Sequence, residues 1–274
     1  MRFRKFTFFT INETERCLLI SLLNDHHFIG YEETSFALLA YVPEEAIRSL
    51  HVKEVLYDND LRHITYSEEI LEDKNWNEEW ERNFQPVTID GQVHIRAPHH
   101  PSAHTAIELI IEPKMSFGTG HHPTTAGVIF MMLRTNFEKK RVLDIGCGTG
   151  VLSMLAEKLG AAQILAIDNE RWAYHNTLQN SFENECQRII VQLNDNTSHL
   201  TAKYDIILAN INRNVITSNL PDWSLLLNEQ GELLISGILY SDENDIRHTA
   251  SLHGLIVTDI AHREGWVIMK LCKK

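Results

Sequence analysis

The sequence predicts an α/β protein in which a small α+β domain precedes a larger domain with a mostly parallel sheet. From Val142 onward, strand and helix patterns alternate, which is typical of a parallel sheet covered by helices on both faces. A glycine-rich turn, Gly146-Cys147-Gly148-Thr149-Gly150, separates the first strand and the first helix of that part. Residues 1–71 mix strands and helices instead, which is typical of a compact α+β domain.

Within the predicted small domain, residues 1–71, Phe3 to Ile11 is rich in aromatic and β-branched residues and predicts a strand. Asn12 followed by Glu15 is the pattern of a capping box, for a helix through Leu23. The remaining predicted elements are a strand over Phe36 to Val42, a helix that starts at Pro43-Glu44-Glu45, and a short strand over His63 to Tyr66.

Residues 72–84 are predicted to form a connecting helix with Trp76 and Trp80 one turn apart. The two indoles could form a platform for a substrate or cofactor, or they could dock one face of the helix on a neighbouring domain. The second interpretation is favoured, because paired aromatic side chains at helical spacing usually bury against a neighbouring surface.

The larger domain is predicted over residues 85–274. Its strands are apolar runs and its helices follow the helical period. The predicted strands are Val142-Leu143, Gln163–Ile167, Tyr204–Ala209, Gly231–Ile235 and Trp266–Leu271, and the predicted helices are Val151–Leu159 and Trp172–Phe182.

Composition limits the classes of partner. Asp and Glu total 37 against 25 Lys and Arg, a net charge of −12, which repels phosphate backbones and attracts a basic protein. The four cysteines are scattered, which argues against a disulfide framework and a zinc site and fits a reducing cytoplasm. No apolar run is long enough to cross a bilayer, and no cleavage site follows the basic opening residues. We therefore expect a cytoplasmic protein with neither a membrane nor a nucleic acid as direct partner.

The glycine turn alone would also suit a dinucleotide, but three details favour an adenosine that carries a sulfonium. The dinucleotide pattern requires Gly or Ala where Val151 stands. Asp144, two residues before Gly146, would repel a pyrophosphate and can organise the turn and face a cationic amino acid. Asp168 ends the next strand, where it can accept both ribose hydroxyls, although a helix N-cap is the alternative role. The predicted cofactor is S-adenosylmethionine.

These residues resemble the class I methyltransferases, and a second stretch narrows the resemblance. Phe117-Gly118-Thr119-Gly120-His121-His122-Pro123-Thr124-Thr125, with Glu112-Pro113 before it and Ala209-Asn210-Ile211 after the fourth strand, is similar to the PrmA-type methyltransferases of ribosomal protein L11. The resemblance covers nearly the whole chain. It implies a Rossmann-like catalytic domain behind a ferredoxin-like domain that recognises the ribosomal protein, and methylation of lysine side chains and of the terminal α-amine.

Carried over to this chain, the resemblance implies cofactor contacts at Thr125, Gly146, Asp168 and Asn210, and Gly148 joins them as part of the turn on which the cofactor lies. One departure concerns Ile211-Asn212-Arg213-Asn214-Val215, where the family usually has small residues and then a proline. That departure affects the expected lining of the lysine channel and leaves the cofactor contact at Asn210 in place.

Asn210 is the predicted catalytic residue. A lysine must lose a proton before it can attack a methyl carbon, and removal from water lowers the pKa of the amine. The side-chain carbonyl of Asn210 can then hold the neutral amine in line. The glycines and hydroxyls of Gly118 to Thr125 favour a flap over bound cofactor, with a rigid turn as the alternative.

Three adjacent histidine pairs invite a metal hypothesis, namely His26-His27, His99-His100 and His121-His122. Adjacent side chains on a regular element point in different directions and no carboxylate recurs at ligand spacing, so no metal is expected. Cys147 stands among glycines without a basic neighbour in sequence, which favours packing over a nucleophilic role.

Two alternatives to a ribosomal-protein methyltransferase remain at this point. A small-molecule N-methyltransferase would share the catalytic core, but it would need only a lid in place of a separate amino-terminal domain. A non-catalytic cofactor-binding scaffold would not require the intact set of cofactor residues that the chain carries.

Overall fold

The computed structural model describes residues 2–9, 12–49, 52–71, 84–112 and 117–274. The chain divides into two compact units, Met1–Glu78 and Glu79–Lys274. Of the predicted connecting helix, residues 72–83, with both tryptophans, lie outside the described part. Among the described residues, no helix is both long and apolar enough to span a membrane.

The first unit has the ferredoxin-like arrangement that the resemblance implies. Its four strands form one antiparallel sheet in the order β2-β3-β1-β4. Phe6 and Phe8 of the first strand and Leu38 of the third point to the same side and pack against Leu19 and Leu23 of the first helix. The elements are β1 (Phe3–Phe9), α1 (Glu13–Asn24), β2 (Gly30–Glu33), β3 (Ala37–Pro43), a 3₁₀ turn (Ala46–Ser49), α2 (Val52–Asp58) and β4 (Thr65–Leu71).

The predicted capping box of α1 is present. The Asn12 side chain accepts from the Glu15 backbone N–H at 2.9 Å, and the Glu15 carboxylate accepts from the Asn12 backbone N–H at 3.4 Å. The helix predicted to start at Pro43 is misplaced, because Pro43 still pairs with Phe3 in the sheet and α2 begins at Val52.

The second unit begins with a three-stranded sheet that the sequence patterns did not reveal. It consists of β5 (Val87–Ile89), β6 (Val93–Arg96) and β7 (Ile107–Ile110), with β6 and β7 parallel. The strands have three or four residues each, which is too short for an alternating pattern to stand out in sequence.

The main sheet of the second unit has seven strands in the order β10-β9-β8-β11-β12-β14-β13, and β14 alone runs antiparallel to both of its neighbours. Its strands are β8 (Arg141–Ile145), β9 (Gln163–Asp168), β10 (Ile189–Leu193), β11 (Tyr204–Asn210), β12 (Leu227–Leu239), β13 (Leu255–Arg263) and β14 (Trp266–Lys273). Its helices are α3 (Pro123–Met132), α4 (Val151–Lys158), α5 (Arg171–Glu183), α6 (Arg213–Leu226) and α7 (Glu243–Leu252).

Two apolar clusters cover the two faces of the main sheet, and successive residues of one strand belong to different clusters. Val142 and Leu208 belong to one cluster, and Leu143 and Ile207 belong to the other. Since both faces are buried, the central strands are nearly continuous apolar runs, which is why they were recognisable in the sequence. The strand order reverses between β8 and β11, where open α/β sheets bind ligands.

We expect Asn12→Ala to lower the free energy of unfolding of the first unit by about 1 kcal/mol, because the first turn of α1 loses its cap. Asn59→Ala is the matched control, since the Asn59 side chain donates to the Val55 carbonyl at the end of α2 and caps no helix start. Urea unfolding followed by circular dichroism measures both. Equal effects of the two variants would contradict the prediction.

Candidate functional site

The glycine turn follows β8 at the carboxyl edge of the main sheet, and side chains and main chain of the neighbouring strand β9 hold it there. The backbone N–H groups of Gly146 and Cys147 donate to the Ile167 carbonyl, and the N–H of Gly148 donates to Asp168 Oδ2 at 2.9 Å. The turn is thus fixed against the end of β9 by three hydrogen bonds.

Gly148 cannot be replaced by a larger residue in this arrangement. Its φ is +57°, and a Cβ atom at this position would lie 2.3 Å from the main-chain oxygen of Phe117. We expected the glycines to leave room for a cofactor, and the structure adds that Gly148 also leaves room for the chain itself.

The Phe117–His122 segment packs directly on the glycine turn, so the two motifs singled out in the sequence meet. The backbone N–H of Thr149 donates to the Phe117 carbonyl at 3.0 Å, and its hydroxyl donates to the Gly118 carbonyl at 2.7 Å. The predicted Gly118–Thr125 loop is shorter in the structure, because Pro123 to Thr125 form the first turn of α3.

Thr125 and Asn210, which are 85 positions apart, are brought into contact. Asn210 Nδ2 donates to Thr125 Oγ1 at 3.2 Å, while Asn210 Oδ1 is buried and has no hydrogen-bond partner among the described residues. Asn210 is the last residue of β11, next to the end of β8. Its side-chain oxygen is therefore a buried, unpaired acceptor at the carboxyl edge of the sheet.

Asp168 anchors the turn and is not a helix cap. Its Oδ1 accepts from the Glu170 backbone N–H at 3.0 Å and its Oδ2 accepts from Gly148, while Glu170 occupies the N-cap position of α5. Each carboxylate oxygen can accept more than one hydrogen bond, so both retain acceptor capacity. Asp168 also lines the cavity described below.

Asp144 is a buried carboxyl group with one oxygen unpaired. Ser153 donates to Oδ2 at 2.6 Å, and Oδ1 has no partner among the described residues. Burial, with a smaller contribution from the negative charge of Asp168, raises the pKa of Asp144 to about 7. We expected Asp144 to organise the glycine turn, but Asp168 makes that hydrogen bond instead.

A cavity of about 220 Å³ opens beside these residues at the carboxyl edge of the sheet. Gly146 and Asp168 line it, whereas Gly148, Thr125 and Asn210 do not. The rest of the lining is Ile145, Ile167, Asn169, Asn194, Asp195, Asn196, Thr197, Ile211, Asn212, Val215, Asn219 and Trp223.

The sequence analysis missed the polar wall of this cavity, Asn194 to Thr197. These residues follow β10, which pairs with β9, and that strand was not recognised in the sequence. Thr197 Oγ1 and Trp223 Nε1 are buried and have no partner among the described residues. Two residues of the cavity lining thus carry a buried polar atom whose hydrogen-bonding capacity is unused.

Helix α5 also contributes buried polar side chains that hold the turn. The Thr177 hydroxyl donates to the Gly148 carbonyl and lies 3.3 Å from Cys147 Sγ, and the Asn180 amide donates to the Thr149 carbonyl. Burial raises the pKa of the Cys147 thiol far above its ordinary value, so the thiol stays protonated. This agrees with the packing role expected for Cys147.

The segment that departs from the family pattern joins two helices. Asn212 caps α6 by accepting from the Val215 backbone N–H, and Arg213 forms an ion pair with Asp245 of α7 at 3.0 Å. A second, longer ion pair joins Arg213 to Asp242 at 3.9 Å. The first residue of α6, three positions after Asn210, is thus tied by ion pairs to α7 and to the residue before it.

A metal centre has no candidate in the described part of the chain, since no three His, Cys, Asp or Glu side chains converge. A wider depression of about 590 Å³ lies on the first unit, and Lys53, Tyr57 and Arg62 are among its lining residues. It contains none of the residues that the sequence motifs predict.

The polar groups at the sheet edge fit the predicted cofactor. S-adenosylmethionine has two ribose hydroxyls, a purine with ring nitrogens, and a cationic amino-acid end. Asp168 lines the cavity and offers acceptors, and Asp144 has an unpaired carboxyl oxygen. A nearby cation would stabilise the Asp144 carboxyl group in its charged form.

Comparison with known proteins gives a consistent result. The family model described as "Ribosomal protein L11 methyltransferase (PrmA)" matches residues 19–274. The ribosomal protein L11 methyltransferase of Porphyromonas gingivalis is 37% identical over 94% of this chain and 91% of that protein. The one from Phocaeicola vulgatus is 34% identical over the full length of both. The crystal structure of a ribosomal protein L11 methylase from Lactobacillus delbrueckii subsp. bulgaricus shares the fold, with a TM-score of 0.65, 23% identity and coverage of 70% of this chain and 100% of that one.

The raised pKa of Asp144 predicts a pH dependence of stability. The folded state retains a proton up to about pH 7, whereas the unfolded chain loses it near 3.8. The folded state therefore binds more protons in this window, so the free energy of unfolding should fall as the pH rises from 4 to 7, by at most about 1.4 kcal/mol per pH unit.

Asp144→Asn cannot ionise and should lack this contribution. Urea unfolding of both proteins between pH 4 and 8 should show the variant gaining stability relative to the wild type up to pH 7, with a constant difference above. Parallel pH profiles would mean that the pKa of Asp144 is ordinary.

Proposed function

The chain belongs to the family of ribosomal protein L11 methyltransferases, and we propose that it methylates lysine side chains and the terminal α-amine of ribosomal protein L11. It is a methyltransferase whose cofactor is S-adenosylmethionine. The relatives' names support the protein substrate, and the chemistry of the site supports amines as the groups that are methylated.

The observation that carries the proposal is the unpaired carbonyl oxygen of Asn210. Thr125 orients the amide by accepting from its nitrogen, and the buried oxygen has no partner among the described residues. A neutral amine has N–H groups to donate and a lone pair that must face the methyl carbon. An amide oxygen can accept the N–H without taking up the lone pair, which suits transfer to an amine.

The cofactor is proposed to lie along the glycine turn and into the cavity. Asp168 would accept the ribose hydroxyls, and the Gly146–Gly150 turn would offer main chain free of side chains. Asp144 would lose its proton when the cationic amino-acid end lies nearby, because an opposite charge favours the ionised carboxylate. S-adenosylmethionine supplies the activated methyl group.

The protein residues would act mainly by positioning. Removal of a lysine from water favours its neutral form, and Asn210 would then orient the amine toward the cofactor. The proton of the lysine ammonium would be released to water, and the amine would react in its neutral form. This accounts for a site made of amide, hydroxyl and main-chain groups around the acceptor.

The first unit is proposed to recognise the ribosomal protein. It has its own sheet and apolar core, and every proposed cofactor contact lies in the second unit. The net charge of −12 favours capture of a basic protein, and this attraction weakens as salt rises. The proposed site of action is the cytoplasm, where ribosomal proteins are made.

We expect the full chain to transfer label from S-adenosylmethionine to purified ribosomal protein L11, with methyl groups on lysine side chains and the α-amine by mass spectrometry. Asn210→Ala should lower kcat about a hundredfold, because the amine loses its positioning group. Asn136→Ala is the control, since Asn136 is exposed and precedes β8. Label on other side-chain types alone, or an unchanged kcat of Asn210→Ala, would refute the proposed chemistry.

Asp168→Asn should weaken the binding of S-adenosylmethionine about ten- to a hundredfold, because the ribose hydroxyls lose a charged acceptor. Isothermal titration calorimetry measures the affinity, and circular dichroism checks the fold. Asp205→Asn is the control, since Asp205 accepts from the Arg141 backbone at the start of β8, away from the proposed site. An affinity of Asp168→Asn equal to that of the control would exclude the ribose contact.

A further inference from the structure

Helix α5 carries two asparagines one turn apart, Asn176 and Asn180, on its buried side, and Asn184 follows one turn later as the C-cap of the helix. Their exposed fractions are 2%, 0% and 6%. Asparagine is a poor helix former, and a fully buried amide is costly unless its donors and acceptor are all paired. The hydrogen bonds of these three side chains therefore indicate which parts of the structure the asparagines hold together.

Asn180 joins two separate stretches of main chain. Its amide nitrogen donates to the Thr149 carbonyl at 2.9 Å, and its oxygen accepts from the Glu112 backbone N–H at 2.9 Å. The same nitrogen also donates to Asn176 Oδ1. Both N–H groups of the Asn180 amide therefore donate a hydrogen bond, and its oxygen accepts one.

The two stretches belong to different parts of the site. Thr149 lies in the glycine turn, and Glu112 follows β7 on the way to the Phe117–His122 segment. That segment packs back on the same turn through Phe117 and Gly118. Asn180 therefore holds the glycine turn and Glu112 in a fixed relative position, and Glu112 precedes the Phe117–His122 segment that packs on the same turn.

Asn184 makes a similar bridge without reaching the turn. Its oxygen accepts from the Ile110 backbone N–H at 2.8 Å, and its nitrogen donates to the Ile110 carbonyl at 2.6 Å. It thereby fastens β7 to α5. Asn180 and Asn184 are both buried asparagines, one within α5 and one at its C-cap, and they differ in whether they hold the glycine turn.

We propose that Asn180 is a positioning residue for cofactor binding, which holds the glycine turn in its binding conformation by bridging Thr149 and Glu112. This inference rests on the proposed binding of S-adenosylmethionine along the turn. Without Asn180, the Thr149 carbonyl loses a buried hydrogen bond, and the main chain of the turn can relax away from the conformation that receives the cofactor.

The test compares Asn180→Ala with Asn184→Ala in the full chain, with S-adenosylmethionine affinity measured by calorimetry and stability by thermal unfolding. Both variants should unfold at lower temperature, since each leaves buried main-chain groups unpaired. Only Asn180→Ala should weaken the cofactor, by about tenfold or more, while Asn184→Ala stays within about threefold of the wild type. Equal affinity losses in the two variants, or none in Asn180→Ala, would overturn the proposal.

Asn180→Asp provides a second readout that a purely structural role would not change. A protonated carboxyl group has one donor and one acceptor, as the amide bridge requires, whereas the carboxylate has no donor for Thr149. Burial raises the pKa of such a group. The affinity of Asn180→Asp relative to the wild type should therefore recover as the pH falls from 8 to 6, while the ratio for Asn180→Ala stays flat. A flat ratio for both variants would contradict the bridge.

The outcome for the wild type separates this inference from the proposed function. If the wild type does not bind S-adenosylmethionine, the proposed function fails. If the wild type binds it and Asn180→Ala binds equally well, only the role of Asn180 fails. If Asn180→Ala does not fold, the pH series on Asn180→Asp still decides the question.

Discussion

The close approach of the Phe117 carbonyl to the Cα of Gly148 is the constraint on which the rest of the site depends. The approach is possible only because Gly148 has no side chain and adopts a positive φ. Because the glycine turn and the Phe117–His122 segment approach each other so closely, Thr149 can donate both its N–H and its hydroxyl to that segment. The Phe117–His122 segment leads into α3, where Thr125 accepts a hydrogen bond from Asn210. One glycine thus links the turn after β8 to the acceptor at the end of β11.

Two buried carboxyl groups give this edge of the sheet its electrostatic character. Asp168 is stabilised by backbone N–H donors, while Asp144 has one hydroxyl donor and one unpaired oxygen. The negative charge of Asp168 makes ionisation of Asp144 harder. A cationic ligand beside Asp144 would favour its ionised form.

Much of the architecture was predictable from the sequence, because the central strands are apolar on both faces and the glycine turn has a distinctive composition. The cap of α1 was also recognisable, since Asn12 and Glu15 stand at the required spacing. The short strands β5 to β7 and the edge strand β10 were not, because three to five residues give too little periodicity. Helix α3 was missed because it is apolar nearly all round, which removes the amphipathic pattern.

Residues of the candidate site that lie within sequence motifs could be predicted. Residues that contact those motifs but lie far from them in the sequence could not. Thr125 and Asn210 stood out through the resemblance, and the structure brings them together. Asn180 lies in an ordinary helical stretch, and nothing in its neighbourhood shows that it contacts residues 31 and 68 positions away. Asp144 and Asp168 were both singled out in the sequence, but which of them holds the turn depends on geometry that spacing alone does not contain.

The placement of β14 affects how the protein can fold while it is being synthesised. Residues 266–273 form a strand between β12 and β13, so the interior of the main sheet contains a gap until they arrive. A chain that emerges from the ribosome can form the first unit early, because all of its strands come from residues 3–71. The larger sheet has to wait for nearly the whole of its sequence to be translated. Until then β13 lacks β14, the strand with which it pairs in the sheet.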